Sequence, residues 1–146
     1  MTTITPDDYL NGDIIAALKI LRSLVDIIEY QKIESDESLK LPELGICFHA
    51  DNSGEISDIR IYLKEADGFF AAEDNIVNKY LLSRSIAEAT IELGGIYKDI
   101  PSIRIPGMPN THPARKFAIN SKLYNIYYES ESNEIISIVI RDNIST

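Results

Sequence analysis

Tryptophan is absent from this chain, cysteine occurs once and histidine only twice in 146 residues. With Cys47 alone, an intramolecular disulfide is excluded, which suits a reducing compartment and argues against secretion. Cys47 and His49 stand two apart and would share one face of a strand, the beginning of a metal site. A zinc centre needs more donors, and the other histidine, His112, lies far off in a proline-rich stretch. No glycine-rich phosphate loop is present, because Gly94-Gly95 follows a helical pattern instead of preceding one. Met1 to Asp13 holds acids and no basic residue, unlike a signal peptide. The longest nearly apolar run, residues 14–28, is interrupted by Lys19, Arg22 and Asp26, so no membrane span is expected there. These exclusions lead to a cytoplasmic protein with no membrane association and no cofactor.

What the chain does have is charge, unevenly placed. It carries 23 Asp and Glu against 14 Lys and Arg, a net charge of −9. Residues 1–74 hold sixteen acids and six bases, a balance of −10, whereas residues 75–146 hold seven acids and eight bases, a balance of +1. Such a split speaks of partners and solubility and says nothing of fold: the front half repels phosphate and attracts basic proteins. The length fits one domain, residues 1–146, with enough chain to bury a self-supporting core. Twenty-five isoleucines favour strands, where a β-branched side chain fits the pleated surface.

Thr5-Pro6-Asp7-Asp8 has the order of a helix start: a cap residue, proline first, then acids at the positive end of the helix dipole. Asn11-Gly12-Asp13 interrupts it and offers Asp13 as the alternative cap. Ile14, Leu18, Leu21, Val25 and Ile28 then recur at three- and four-residue spacing, widened by Ala17, Leu24 and Ile27. That period predicts an amphipathic helix to about residue 33, followed by an exposed acidic loop over 34–38. Residues 44–50 and 56–63 read as a β-hairpin around the polar turn 51–55. Phe69 and Phe70 are expected to fill the core beneath the loop that follows. Glu73-Asp74 opens a second helix, with Ile76, Val77, Tyr80, Leu81, Ala87 and Ile91 along one side and Gly94-Gly95 at its end. Residues 101–113 hold four prolines and read as a loop with one short extended piece around Ile103. The tail reads as a meander of 114–119, 123–128 and 135–140. The expected fold class is α+β: a single domain with an N-terminal helix, a β-hairpin, a second helix and a C-terminal antiparallel β-meander. Its core should join Leu18, Leu21, Val25 and Ile28 to Ile59, Ile61, Leu81, Ile126, Ile138 and Ile140.

Each motif has a structural reading beside a chemical one. Cys47 and His49 could pair as thiol and base, but no acid is visible to orient the imidazole, and a small apolar cysteine is ordinarily buried. Asp7-Asp8, Asp36-Glu37 and Glu73-Asp74 stand at helix starts and in polar loops, where capping and solvation explain them. Asp51-Asn52-Ser53-Gly54-Glu55 imitates part of a calcium loop, yet the position that should carry the bidentate acid holds Arg60. The one basic grouping is Arg104, Arg115, Lys116, Lys122 and Arg141, interleaved with Tyr124, Tyr127 and Tyr128. Bases among strand aromatics can grip nucleic acid, but the density is low and the chain acidic, so nucleic acid is disfavoured.

Arg115-Lys116-Phe117, then Tyr124-Asn125-Ile126-Tyr127-Tyr128, then the aliphatic strand 135–140 resemble the last strands of RelE/ParE-type toxins. The resemblance covers under a third of the chain, and that family opens with a strand and two helices where this chain opens with a helix and a hairpin. Beside it stands an alternative expectation, a RelE/ParE-like toxin or other phosphate- or RNA-acting enzyme that uses the basic C-terminal half, with Arg104, His112, Arg115 and Lys116 as its phosphate site. The favoured expectation is different: a non-catalytic acidic binding protein without catalytic residues or metal. In concrete form it is a bacterial immunity protein, antitoxin or phage-encoded inhibitor that occludes a basic toxin or nuclease. Its interface residues would be Asp36, Glu37, Asp51, Glu55, Asp58, Asp67, Glu73 and Asp74. A secretion-type chaperone, also small and acidic, is a further alternative, and a homodimer is left open.

Overall fold

Alternating apolar residues set the architecture. In the computed structural model, which describes residues 4–143, eight antiparallel strands form one sheet. They are β1 (Glu29–Ile33), β2 (Asp36–Leu41), β3 (Ile46–Ala50), β4 (Ile56–Tyr62), β5 (Lys98–Ile100), β6 (Ala114–Ile119), β7 (Lys122–Tyr128) and β8 (Ile135–Asp142). The spatial order is β1-β2-β3-β4-β8-β7-β6-β5. Two local meanders, β1–β4 and β5–β8, therefore meet along the single pairing of β4 with β8. There Ile59 lies opposite Ile140 and Ile61 opposite Ile138, with Arg60 opposite Val139 on the other face. Because successive strand side chains point to opposite faces, one face is apolar and the other polar.

The apolar face is covered by α1 (Ile14–Leu21), α2 (Asp74–Val77) and α3 (Ile86–Glu92). Ile14, Ala17 and Leu21 of α1 and Ile86 and Ala89 of α3 share one cluster with Phe48, Ile59, Ile61, Leu81, Phe117, Ile126, Ile138 and Ile140. Leu18, Val25 and Ile28 pack against it half-buried. The expected core is thus present, and the α+β class holds, with helices placed differently from the expected order.

The first helix is shorter than its period suggested. Asp13 caps it, its carboxylate accepting from the Ala16 amide at 2.9 Å, while Pro6–Tyr9 form a separate 3-10 turn. It ends after Leu21, where the Ser23 hydroxyl donates to the Ile20 carbonyl at 2.8 Å and takes one of its terminal acceptors. The helical spacing of Val25 and Ile28 survives because the turns of 22–28 still bury them. Residues 29–33 instead form edge strand β1, exposed along its whole length, so no alternation of burial marks it. The expected acidic loop of 34–38 shrinks to a tight turn, with Glu34 at φ 54°, and Asp36 onward is strand β2.

The second helix is divided. Arg84 donates to the carbonyls of Leu81, Leu82 and Ser83, and Ser85 caps α3, its hydroxyl accepting from the Glu88 amide. Ile91, expected inside, is 81% exposed, as is Ala87 in kind. Phe69 is buried, but in a small cluster with Cys47 and Tyr62 on the polar side of the sheet, its ring stacked on Tyr62 at 4.5 Å. Phe70 is 56% exposed, not core. The extended piece expected at Ile103 lies earlier, at β5. Gly45 needs its lack of a side chain: at φ +68°, a Cβ there would lie 2.4 Å from the Phe70 carbonyl oxygen. The β2–β3 connection is thereby pressed against residues 70–72, with the Phe70 amide donating to the Pro42 carbonyl at 2.9 Å.

Leu21 is fully buried and Ile20, its neighbour, is 52% exposed. Leu21→Ala should cost about 2–5 kcal/mol of unfolding free energy, while Ile20→Ala should stay within about 0.5 kcal/mol of wild type. Urea denaturation midpoints of the two variants check the placement of α1.

Candidate functional site

Antiparallel order brings chain segments far apart in sequence to common ends of the sheet. The β1–β2 and β3–β4 turns lie at one end, together with the start of α1 and the last residues of β8. Asp36, Asp51 and Glu55 are exposed there, and Asp58 lies one step inward on the polar face. A cleft of about 400 Å³ opens among Asn11, Asp51, Glu55, Ser57, Asp58, Arg141 and Asp142. It runs into a second of about 300 Å³ on the polar sheet face, whose walls include His49, Arg60, Tyr127 and Arg141. The Asp51 carboxylate accepts from the Ser53 amide at 2.9 Å and from its hydroxyl at 2.5 Å. Those bonds from Ser53 hold its pKa below the usual value and stiffen the turn.

The eight acidic residues expected at an interface do not form one surface. Asp67, Glu73 and Asp74 lie beyond the opposite end of β4. Asp67 accepts from the Tyr62 hydroxyl at 3.1 Å, and Asp74 pairs with Arg84 at 3.3 Å. Glu37 is only 4% exposed: strand alternation separates it from Asp36 and turns it to the covered face, where it accepts from the Tyr30 hydroxyl. It is removed from the expected docking set for that reason.

The four residues of the phosphate alternative are also dispersed. Arg115 and Lys116 are consecutive in β6 and so point to opposite faces. Arg115 faces the helices, donating to the Thr90 hydroxyl at 2.8 Å, pairing with Asp99 at 3.4 Å and lying over the Tyr97 ring. Lys116 is half-buried on the polar face. Arg104 is exposed in the 101–113 segment, and His112 lies with Lys64 and Glu129 at the rim of another cleft.

What sequence reasoning missed is the cross-strand partner of His49. Its Nδ1 stands 3.5 Å from Asp58, directly opposite on β4. The Asp58 carboxylate holds the imidazole pKa above its usual value, against the opposing effect of partial burial. Counting back from the 51–55 turn would set His49 against Ser57; a bulge between His49 and Ala50 shifts the register and brings Asp58 opposite instead, which spacing alone does not reveal. Among the described residues no hydroxyl or thiol donates to the His49 imidazole. The Ser57 hydroxyl donates to the His49 carbonyl at 3.5 Å and the Asp58 carboxylate at 3.4 Å, rather than to the imidazole. The Cys47 thiol is buried, and burial pushes its pKa up to about 11, so little thiolate forms near neutrality. Among the described residues no three His, Cys, Asp or Glu side chains converge as a metal site, and no helix is long and apolar enough to cross a membrane. Among the described residues the groups brought together here are charged and polar side chains around two open clefts.

Comparison with known protein families, with curated proteins and with solved structures finds no match to this chain.

The raised His49 pKa fixes the sign of a pH effect. A pKa higher in the folded than in the unfolded chain gives a stabilisation that is complete below about 6.5, the unfolded value, and fades as pH rises through the folded value. In Asp58→Asn the imidazole pKa should fall and this component of stability should vanish. Titration of the His49 ring signals by NMR, with urea midpoints taken across the same pH range, checks both.

Proposed function

We propose that this chain is a small acidic binding protein that works by covering a basic protein partner, not by turning over a substrate. Its concrete form would be a bacterial cytoplasmic immunity protein, antitoxin or phage-encoded inhibitor directed at a basic toxin or nuclease. The observation that carries the reading is unequal use of charge. Lys64 pairs with Glu129 and Glu134, Arg115 with Asp99, Lys122 with Asp142 and Arg84 with Asp74. Four of the five acids so used come from the back half of the chain. Asp36, Asp51 and Glu55 have no ion pair among the described residues and stand together at one end of the sheet. Surface carboxylates left unneutralised steer a basic partner over distances set by the Debye length, about 10 Å at 0.1 M salt.

The dispersal of Arg104, His112, Arg115 and Lys116 supports binding over phosphate chemistry, because catalysis needs reacting groups at one point. The test begins with affinity capture from the native cell and identification of the partner by mass spectrometry. Association is then measured with the triple variant Asp36→Lys, Asp51→Lys and Glu55→Lys. The expected result is an on-rate roughly tenfold or more below wild type at low salt, with the gap closing as salt rises. An on-rate equal to wild type across the titration removes the steering argument and the proposal with it.

A further inference from the structure

We infer that the groove where α1 gives way to β1 is a docking site for an amphipathic, basic segment of the partner, one that presents apolar side chains flanked by Lys or Arg. The inference rests on the binding reading for the sign of the partner's charge, but it uses different residues, at the opposite end of the sheet. Between α1 and β1, Val25 and Ile28 turn into the core while Leu24 and Ile27 turn out, 44% and 48% exposed. Leu44, on the β2–β3 connection, faces them across a groove of about 360 Å³. Its remaining lining is Val25 and three acids, Asp26, Glu43 and Glu73, and among the described residues no cation lines it. None of these three carboxylates has an ion pair among the described residues.

Apolar floor and charged rim are the two parts of an interface, and each constrains the occupant. Leu24 and Ile27 call for aliphatic or aromatic side chains that bury them. The three carboxylates call for cations and repel acidic peptides, nucleic acid and anionic lipid headgroups. The occupant is therefore peptide, basic and amphipathic, recognised by its apolar anchors with charge selecting against others. The groove is also set in advance. The close approach of Gly45 to residues 70–72 and the Phe70 amide bond to Pro42 lock the wall that carries Glu43 and Leu44 to the segment leading to Glu73. A partner entering it meets a formed surface and orders little chain on binding.

The experiment uses the full chain, labelled with ¹⁵N, and two synthetic probes: a short amphipathic Leu/Lys helix and an oligolysine of equal charge. The Leu/Lys peptide should shift the amide signals of Leu24, Ile27 and Leu44. Its affinity should fall tenfold or more in Asp26→Lys/Glu43→Lys and, separately, in Leu24→Ser/Ile27→Ser. Both pairs are surface changes, and the unbound spectrum reports whether each variant keeps its fold. Oligolysine should shift these apolar positions far less. Equal shifts from both probes would mean acidity without a groove and would overturn the inference. So would shifts confined to the β3–β4 turn, or wild-type affinity in both variants. If the free protein self-associates and dilution moves these same signals, a second copy is the occupant and the inference fails in its favour. Partner capture judges the binding reading separately: capture that persists with no groove response removes this inference alone.

Discussion

The pairing of β4 with β8 holds the molecule together. Every other strand pairing joins consecutive strands, so each half could form its ladder locally; only this one closes residues 63–134 into a loop. Closing a long loop costs only slowly more as it lengthens, so the burial at the seam decides the outcome. Ile59, Ile61, Ile138 and Ile140 are buried there, directly across from one another. The helices that cover the apolar face come from both sides of the seam: α1 precedes the sheet, while α2 and α3 lie inside the closed loop. Lys64, just past β4, reaches Glu129 and Glu134 before β8 and ties the same seam from outside; those two carboxylates raise its pKa.

That seam also explains the charge distribution. The back half sets two of its acids beside its own bases, Asp99 by Arg115 and Asp142 by Lys122, and two more, Glu129 and Glu134, beside Lys64 of the front half, across the seam. The front half is built of a short helix and a meander whose turns and connections carry acids with few bases in reach. A net balance of −10 in the first 74 residues thus becomes surface potential at both ends of the sheet. Closely spaced like charges destabilise a compact chain, and nothing in the core of this one requires them.

The sheet was readable in the sequence wherever alternation was strict and one-sided. The 51–55 turn with its two strands, and the three tail strands with Asn120-Ser121 in left-handed conformation, lie where period and turn chemistry put them. Reading failed where period and burial part company. Residues 22–28 keep a helical spacing of apolar residues while forming turns, and β1, exposed on both faces, has no burial period to betray it. The divided second helix depended on Arg84 binding carbonyls and Ser85 capping, which spacing does not reveal. For the site, acidity was legible but grouping was not. Which carboxylates share an end of the sheet follows from strand order, and whether one is buried follows from alternation within β2, a strand read as loop. Glu37 failed as an interface residue for that single reason.

Open faces that carry perturbed ionisable groups are where catalysis is sought, and the polar sheet face has three: Cys47, His49 and Tyr62. Each perturbation has a packing cause. Burial lifts the Cys47 thiol to about 11 and the Tyr62 hydroxyl to about 12, because Phe69 and its loop fold down onto both. His49 is shifted by Asp58, a neighbour across the hairpin. Two of the three are shielded, and raised thiol and phenol pKa values leave these groups protonated and inert at neutral pH. What such a face gives to solvent is Arg60, Arg141 and Tyr127 beside His49, a set suited to hydrogen bonds and stacking. The proposed binding reading rests instead on two other surfaces: the carboxylates at one end of the sheet that have no ion pair among the described residues, and the acid-rimmed groove at the other.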